Sequence, residues 1–96
     1  MASLNFMNIV RFKLKQDYVV KYFEVINKTH FEGIIQRYIA KTGEYDYCFV
    51  GIWERVKAIE DQRPKMIAHL YEVRAFMEEL SPELVLTDPV SENIVA

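Results

Sequence analysis

His69 is the side chain of this 96-residue sequence best suited to move a proton. It falls in phase with Met66, Leu70, Val73, Phe76, Met77 and Leu80, so a helix here would turn it toward an apolar partner. Imidazole ionises near neutral pH and could shuttle a proton in a pocket between helix and sheet. It could equally be a core or interface histidine with one satisfied hydrogen bond, because spacing places no second catalytic group beside it. Asn8 is the second candidate. It shares strand parity with Phe6, Val10, Phe12 and Leu14. A buried amide must find partners, so Asn8 either bonds a neighbour or faces a ligand. Trp53, Tyr47 and Tyr38 could line an aromatic pocket for a planar substrate. Aromatic residues on half-buried strands also serve simply as core.

Other chemistries lack their residues. His30 reads as the end of the first helix, where a cation meets the helix dipole favourably. His30 and His69 are not spaced as a local metal motif, so no metal is expected. The three glycines, Gly33, Gly43 and Gly51, are scattered and build no phosphate loop, and no nucleotide or flavin cofactor is expected. No Ser-His-Asp or Cys-His arrangement is indicated. Cys48 is the only cysteine, which excludes an intrachain disulfide, suits a reducing cytosol and leaves an inert thiol as its default. Twelve basic residues against 14 acidic ones give a net charge of −2, without the basic footprint that nucleic acid or a membrane surface asks for. The first seven residues lack the pattern of a secretory leader, and no apolar run is long enough to span a bilayer. A cytoplasmic location is the expectation.

The elements that must position these groups follow from hydrophobic period. Leu4–Lys15 reads as a first strand, apolar on both parities in its first half and on one in its second. Asp17 is placed to cap a helix whose stripe is Val19, Tyr22, Phe23, Ile26 and His30, with Gly33 just past its end. Ile34–Thr42 and Tyr45–Glu54 read as a hairpin of two strands around Thr42, Gly43 and Glu44. On the third strand Tyr45, Tyr47, Phe49, Gly51 and Trp53 take one face, and Cys48, Val50 and Ile52 the other. Pro64 divides the next helical stretch into Arg55–Asp61 and Pro64–Leu80. Leu84–Thr87 reads as a fourth strand, broken by Asp88-Pro89, with Val90–Ala96 as a tail. The order βαββαβ, 51% hydrophobic, predicts one ferredoxin-like α+β domain over 1–96, with a core of about 4–88 and a tail of 89–96. Its antiparallel sheet would carry helices on one face only. The other face, also apolar, needs a cover, and a second copy of the chain is the simplest one.

The third strand ending in Ile52-Trp53-Glu54, followed by the helix Arg55-Val56-Lys57-Ala58-Ile59-Glu60, resembles the dimeric α/β-barrel superfamily, and within it the antibiotic-biosynthesis-monooxygenase-like group. The segment Thr87-Asp88-Pro89-Val90-Ser91 is similar to short bacterial relatives of that group. The resemblance implies a homodimer with two sheets facing each other as a barrel. It also implies, as one activity among several on this fold, cofactor-free oxidation of an aromatic phenol. Aligned on Ile52-Trp53, the group's haem-degrading branch would want a tryptophan at Gln62, a histidine near Glu72 and an asparagine near Val10, so haem is not expected. For the quinone-forming branch, Asn8, Trp53 and a tyrosine are the right residue types. There an oxygen-reactive phenolate would do the redox work, oriented by amide, indole or imidazole donors.

Two other classes compete. An RNA-recognition domain shares this strand order, but Tyr45 and Asp46 stand where its third strand needs a basic residue and glycine. A non-enzymatic dimer that binds a small aromatic or apolar ligand, or a stress-associated dimer, needs no catalytic set at all. A cavity onto which His69, Asn8 and a tyrosine converge would favour the enzyme. A solidly filled interface between sheet and helix would favour the alternative.

Overall fold

The computed structural model describes residues 5–81 and 86–94. Strand β1 (Phe6–Leu14) leads through a 3-10 turn, Gln16–Tyr18, into helix α1 (Val19–Lys28). Strands β2 (Ile34–Lys41) and β3 (Asp46–Trp53) form the hairpin, followed by helix α2 (Val56–Val73), a 3-10 turn (Arg74–Phe76), a two-residue strand β4 (Met77–Glu78), and β5 (Thr87–Asn93). The sheet runs β2-β3-β1, all antiparallel. The far side of β1 is shared, with β4 pairing Lys13 and Leu14 and β5 pairing Phe6 to Phe12. This is the ferredoxin-like α+β fold the hydrophobic pattern predicts.

Alternation decides what faces the helices. Along β3 the even positions are half-buried, while Tyr47, Phe49, Gly51 and Trp53 are buried. On β1 Asn8, Phe12 and Leu14 are buried with the same parity. The main core joins these strands to Tyr22 and Ile26 of α1 and to Val73 and Met77. A second cluster gathers Phe31, Trp53 and Ile59, with Phe6, Ala58 and Met66 against it. Among the described residues, no element covers the opposite face of the sheet. Met7, Ile9, Val50 and Ile52 are half-buried there, and Tyr38 and Val90 are 55% and 51% exposed.

Several local expectations are corrected. Asp17 makes no capping hydrogen bond; it lies in the 3-10 turn, and α1 starts behind Tyr18. The end of α1 is closed by Thr29, whose hydroxyl donates to the Val25 carbonyl at 2.9 Å, and not by His30, which lies beyond it. Gly33 does adopt a left-handed φ of 83°, but in the turn entering β2, where a Cβ would strike that of Ala58.

Pro64 does not divide the second helix, and the helix does not reach Leu80. α2 runs unbroken from Val56 to Val73 with Pro64 exposed inside it. The lost N–H costs one hydrogen bond, while Ile59 before the proline and Met66 after it pack into the same cluster, and Leu70 and Val73 pack into the other, which holds both halves in one helix. The fourth long strand is Thr87–Asn93 and not Leu84–Thr87, of which residues 84 and 85 lie outside the described residues. Pro89 is tolerated because β5 is an edge strand, bonded only to β1, where a missing donor can face outward.

Candidate functional site

Where α2 crosses the sheet, the packing is incomplete and leaves a cavity of about 490 Å³. Its floor is the inner face of β1 (Asn8, Val10, Phe12) and Phe49 of β3. Tyr22, Ile26 and Phe31 close one side, and the α2 residues Met66, His69, Leu70 and Val73 form the roof. Thr87, Pro89 and Ser91 of β5 and the exposed Arg63 and Ile67 of α2 make up its rim. The volume lies in the range of small-molecule sites, and a mostly apolar wall with a few polar groups is their usual make-up.

Asn8 is 2% exposed, the one buried polar side chain among the described residues. Its Oδ1 accepts the indole N–H of Trp53 at 2.7 Å. Indole can only donate, so this bond assigns Oδ1 to Trp53 and leaves the Nδ2 hydrogens of Asn8 for another acceptor. Gly51 makes room for the pair. It lies opposite Asn8 in the β1–β3 ladder, and a Cβ on it would collide with Asn8 Oδ1 and come within 2.9 Å of Trp53 Nε1. The two possibilities for Asn8 therefore combine: it bonds a neighbour and lines a cavity.

His69 sits on α2 between Tyr22 and Phe31, with ring centroids 6.5 and 6.1 Å away. Its Nδ1 is buried and has no hydrogen-bond partner among the described residues. Burial pushes its pKa below the ordinary 6.5; the Glu72 carboxylate opposes this and the Arg37 guanidinium adds to it. The imidazole is thus neutral at pH 7 and able to accept a proton. Tyr22 is driven the other way, its phenol pushed well above 10.0 by burial against a smaller opposing pull from Arg37. It stays protonated at any physiological pH, so it can donate a hydrogen bond but cannot act as a base.

The sequence candidates thus separate. Asn8 and His69 line one cavity, and Trp53 stands behind Asn8 as its support, 0% exposed. Tyr47 is packed into the core, its ring 5.8 Å from Phe12 and 5.6 Å from Phe23, and does not line the cavity. Tyr38 pairs with Val50 on the opposite face of the sheet, away from the cavity. The tyrosine that joins His69 is Tyr22, whose place on the helical stripe signals only core. Arg63 is legible in principle, one turn from both Ile59 and Ile67. The rim residues of β5 are not, because Asp88-Pro89 reads locally as a strand breaker.

No family model and no curated protein matches the chain. Solved structures do. A variant of SnoaB, a cofactor-independent oxygenase from Streptomyces nogalater, is similar with a TM-score of 0.71 at 13% identity, over 96% of this chain and 92% of that one. A monooxygenase from the gene ActVA-Orf6 of Streptomyces coelicolor, solved with the ligand nanaomycin D, gives 0.72 at 12% identity over 97% and 89%. A dimeric ferredoxin-like protein from an uncultured marine organism gives 0.70 at 10% identity over 97% and 90%. The structural neighbours are thus antibiotic-biosynthesis-monooxygenase-like and dimeric ferredoxin-like proteins, and at these identities the likeness is one of fold.

Two outcomes follow from this geometry. Gly51→Ala should cost roughly 2–4 kcal/mol in urea unfolding, because the new methyl separates a buried donor from its acceptor; unchanged stability would contradict the packing around Asn8. His69 binds its proton less well folded than unfolded, so its contribution to stability is full above pH 6.5 and is lost as pH falls from 6.5 through the lower folded value. Urea midpoints measured between pH 7.5 and 5 should decline, and His69→Gln should flatten that decline; an equal slope in both proteins would contradict it.

Proposed function

We propose that this chain forms a homodimeric, cofactor-independent oxygenase that converts a fused-ring aromatic phenol to a quinone. One observation carries the reading: a neutral imidazole with an unpartnered nitrogen and an amide locked in one orientation share a largely apolar cavity. The reacting carbon bears two hydrogens in the keto tautomer of such a phenol. His69 accepts one proton and leaves an electron-rich anion. The Nδ2 group of Asn8, with Tyr22 as a second donor, stabilises the oxygen on which the charge settles. The anion supplies electrons to O₂. One oxygen atom stays on carbon as a carbonyl, and the other leaves as water with the two hydrogens. Trp53 is committed to Asn8, so its role is to position the amide rather than to touch substrate. The apolar wall excludes water and holds the rings.

The second copy covers the open face of the sheet. Met7, Ile9, Val50 and Ile52 form an apolar patch there, extended by Tyr38 and Val90. The structurally similar ferredoxin-like protein from a marine organism is itself dimeric, which supports the same assembly here. The competing reading is a dimer that holds a small aromatic ligand without turning it over. The largely apolar lining of the cavity favours it, since binding needs no base.

Oxygen uptake with hydroxylated anthrones should be catalysed by the wild-type protein. It should fall by about 10²–10⁴ in His69→Ala and by about 10²–10³ in Asn8→Ala. Saturable binding without uptake by the wild type would select the ligand-binding reading. Sedimentation equilibrium at micromolar concentration should give twice the 11.4 kDa subunit mass. Val50→Asp should shift it to the single subunit, and a wild-type monomer would remove the barrel.

A further inference from the structure

The cavity has a charge bias opposite to that of the chain. The protein carries −2 overall, yet no Asp or Glu is among the described residues that line the cavity. Its one full charge is the Arg63 guanidinium at the rim. A second guanidinium, Arg37, lies behind the wall, bonded to the carbonyls of Ile26 and Thr29 at 3.0 and 2.8 Å; its field reaches Tyr22 and also His69, where the Glu72 carboxylate, which does not line the cavity, outweighs it. The ion pairs among the described residues, Arg11–Asp88 and Lys57–Asp61, use neither arginine.

The neutral polar groups of the cavity lean the same way. Asn8 presents N–H hydrogens because its oxygen is taken by Trp53. Ser91 lies opposite Asn8 in the β1–β5 ladder, so its hydroxyl stands at the same level of the sheet. On α2, Arg63 lies between Ile59 and Met66, which pack against Trp53 and Phe6 at this end of the sheet. A cation, an amide N–H and a hydroxyl therefore border one end of the cavity, and hydrocarbon lines most of the rest.

We propose that the cavity takes an aromatic carboxylic acid as its anion, with the carboxylate at the Arg63–Ser91 rim and the rings beneath α2. A guanidinium and a carboxylate make charge-assisted, often bidentate bonds, while a neutral or cationic head group of the same shape gains nothing from Arg63. The fixed anion would set which end of the ring system reaches His69. The inference rests on the same cavity as the proposed oxygenase but concerns what binds there, not whether it reacts.

The chain has a single tryptophan, so its ¹H–¹⁵N spectrum holds one indole cross-peak, from the group bonded to Asn8. Titration with 2-naphthoate and with 2-naphthamide at low salt should move that peak, the carboxylate binding at least about tenfold more tightly. In Arg63→Gln the ratio of the two affinities should fall to near one, whereas Lys57→Gln should keep the wild-type ratio. Equal affinities in the wild type, a preference that survives Arg63→Gln, a Lys57→Gln effect of the same size, or no movement of the peak with either probe would each overturn the proposal. Preferential binding of naphthoate with no oxygen uptake on any phenol would leave this inference standing and remove the oxygenase. Equal turnover of phenols with and without a carboxylate would do the reverse.

Discussion

The hydrogen bond from the Trp53 indole to Asn8 Oδ1 is the constraint around which the functional end of the molecule is arranged. A primary amide and an indole N–H both lie in the core, where each would cost about 1–3 kcal/mol if left without a partner. Pairing them removes both penalties with one bond, but the strand between them must lack a side chain, and Gly51 supplies that gap. Three residues on two strands are thereby tied in register and orientation. The amide has one free end, and that end belongs to a residue of the cavity floor.

The sheet is asymmetric in its cover. Two helices lie on one face, and they do not fill the space they enclose. α1 packs Tyr22 and Ile26 into the main cluster, while α2 packs Ile59 and Met66 against Trp53 and sends Val73 into the cluster that holds Leu14. Between these contacts the cavity remains, roofed by a helix that brings two polar residues, Arg63 and His69, to a mostly apolar lining. Burial beneath these helices raises the energy of the charged imidazole and the charged phenol alike, which keeps a base and a donor side by side without an ion pair between them. On the other face the apolar residues of β1, β3 and β5 have no cover among the described residues of their own chain.

The strands and the inner parity of β1 and β3 are legible because alternation is a local property, and the register pairs Phe6 with Trp53 as the parity requires. The two prolines mislead for a common reason. A missing N–H has a fixed local cost, but whether an element survives it depends on what the rest of the element packs against. For α2 that is two hydrophobic clusters, one of which takes Ile59 before Pro64 and Met66 after it. For β5 it is an edge position where the outward side of the strand needs no donor. Asp17 shows the converse: a good capping residue one position too early gives way to the 3-10 turn that leads off β1.

The amino-acid order determined the ferredoxin-like succession of elements, the face on which Asn8 and His69 lie, and the lack of spacing for a phosphate loop or a local metal motif, since these are matters of period and residue type along the chain. The fold decided what period cannot carry. It brought Tyr22 rather than Tyr47 or Tyr38 to the histidine, turned Trp53 into a support for Asn8, and brought Arg63 and Ser91 into the lining of one cavity. Those relations join residues tens of positions apart. They exist only once packing has left a space between helix and sheet for the side chains to share.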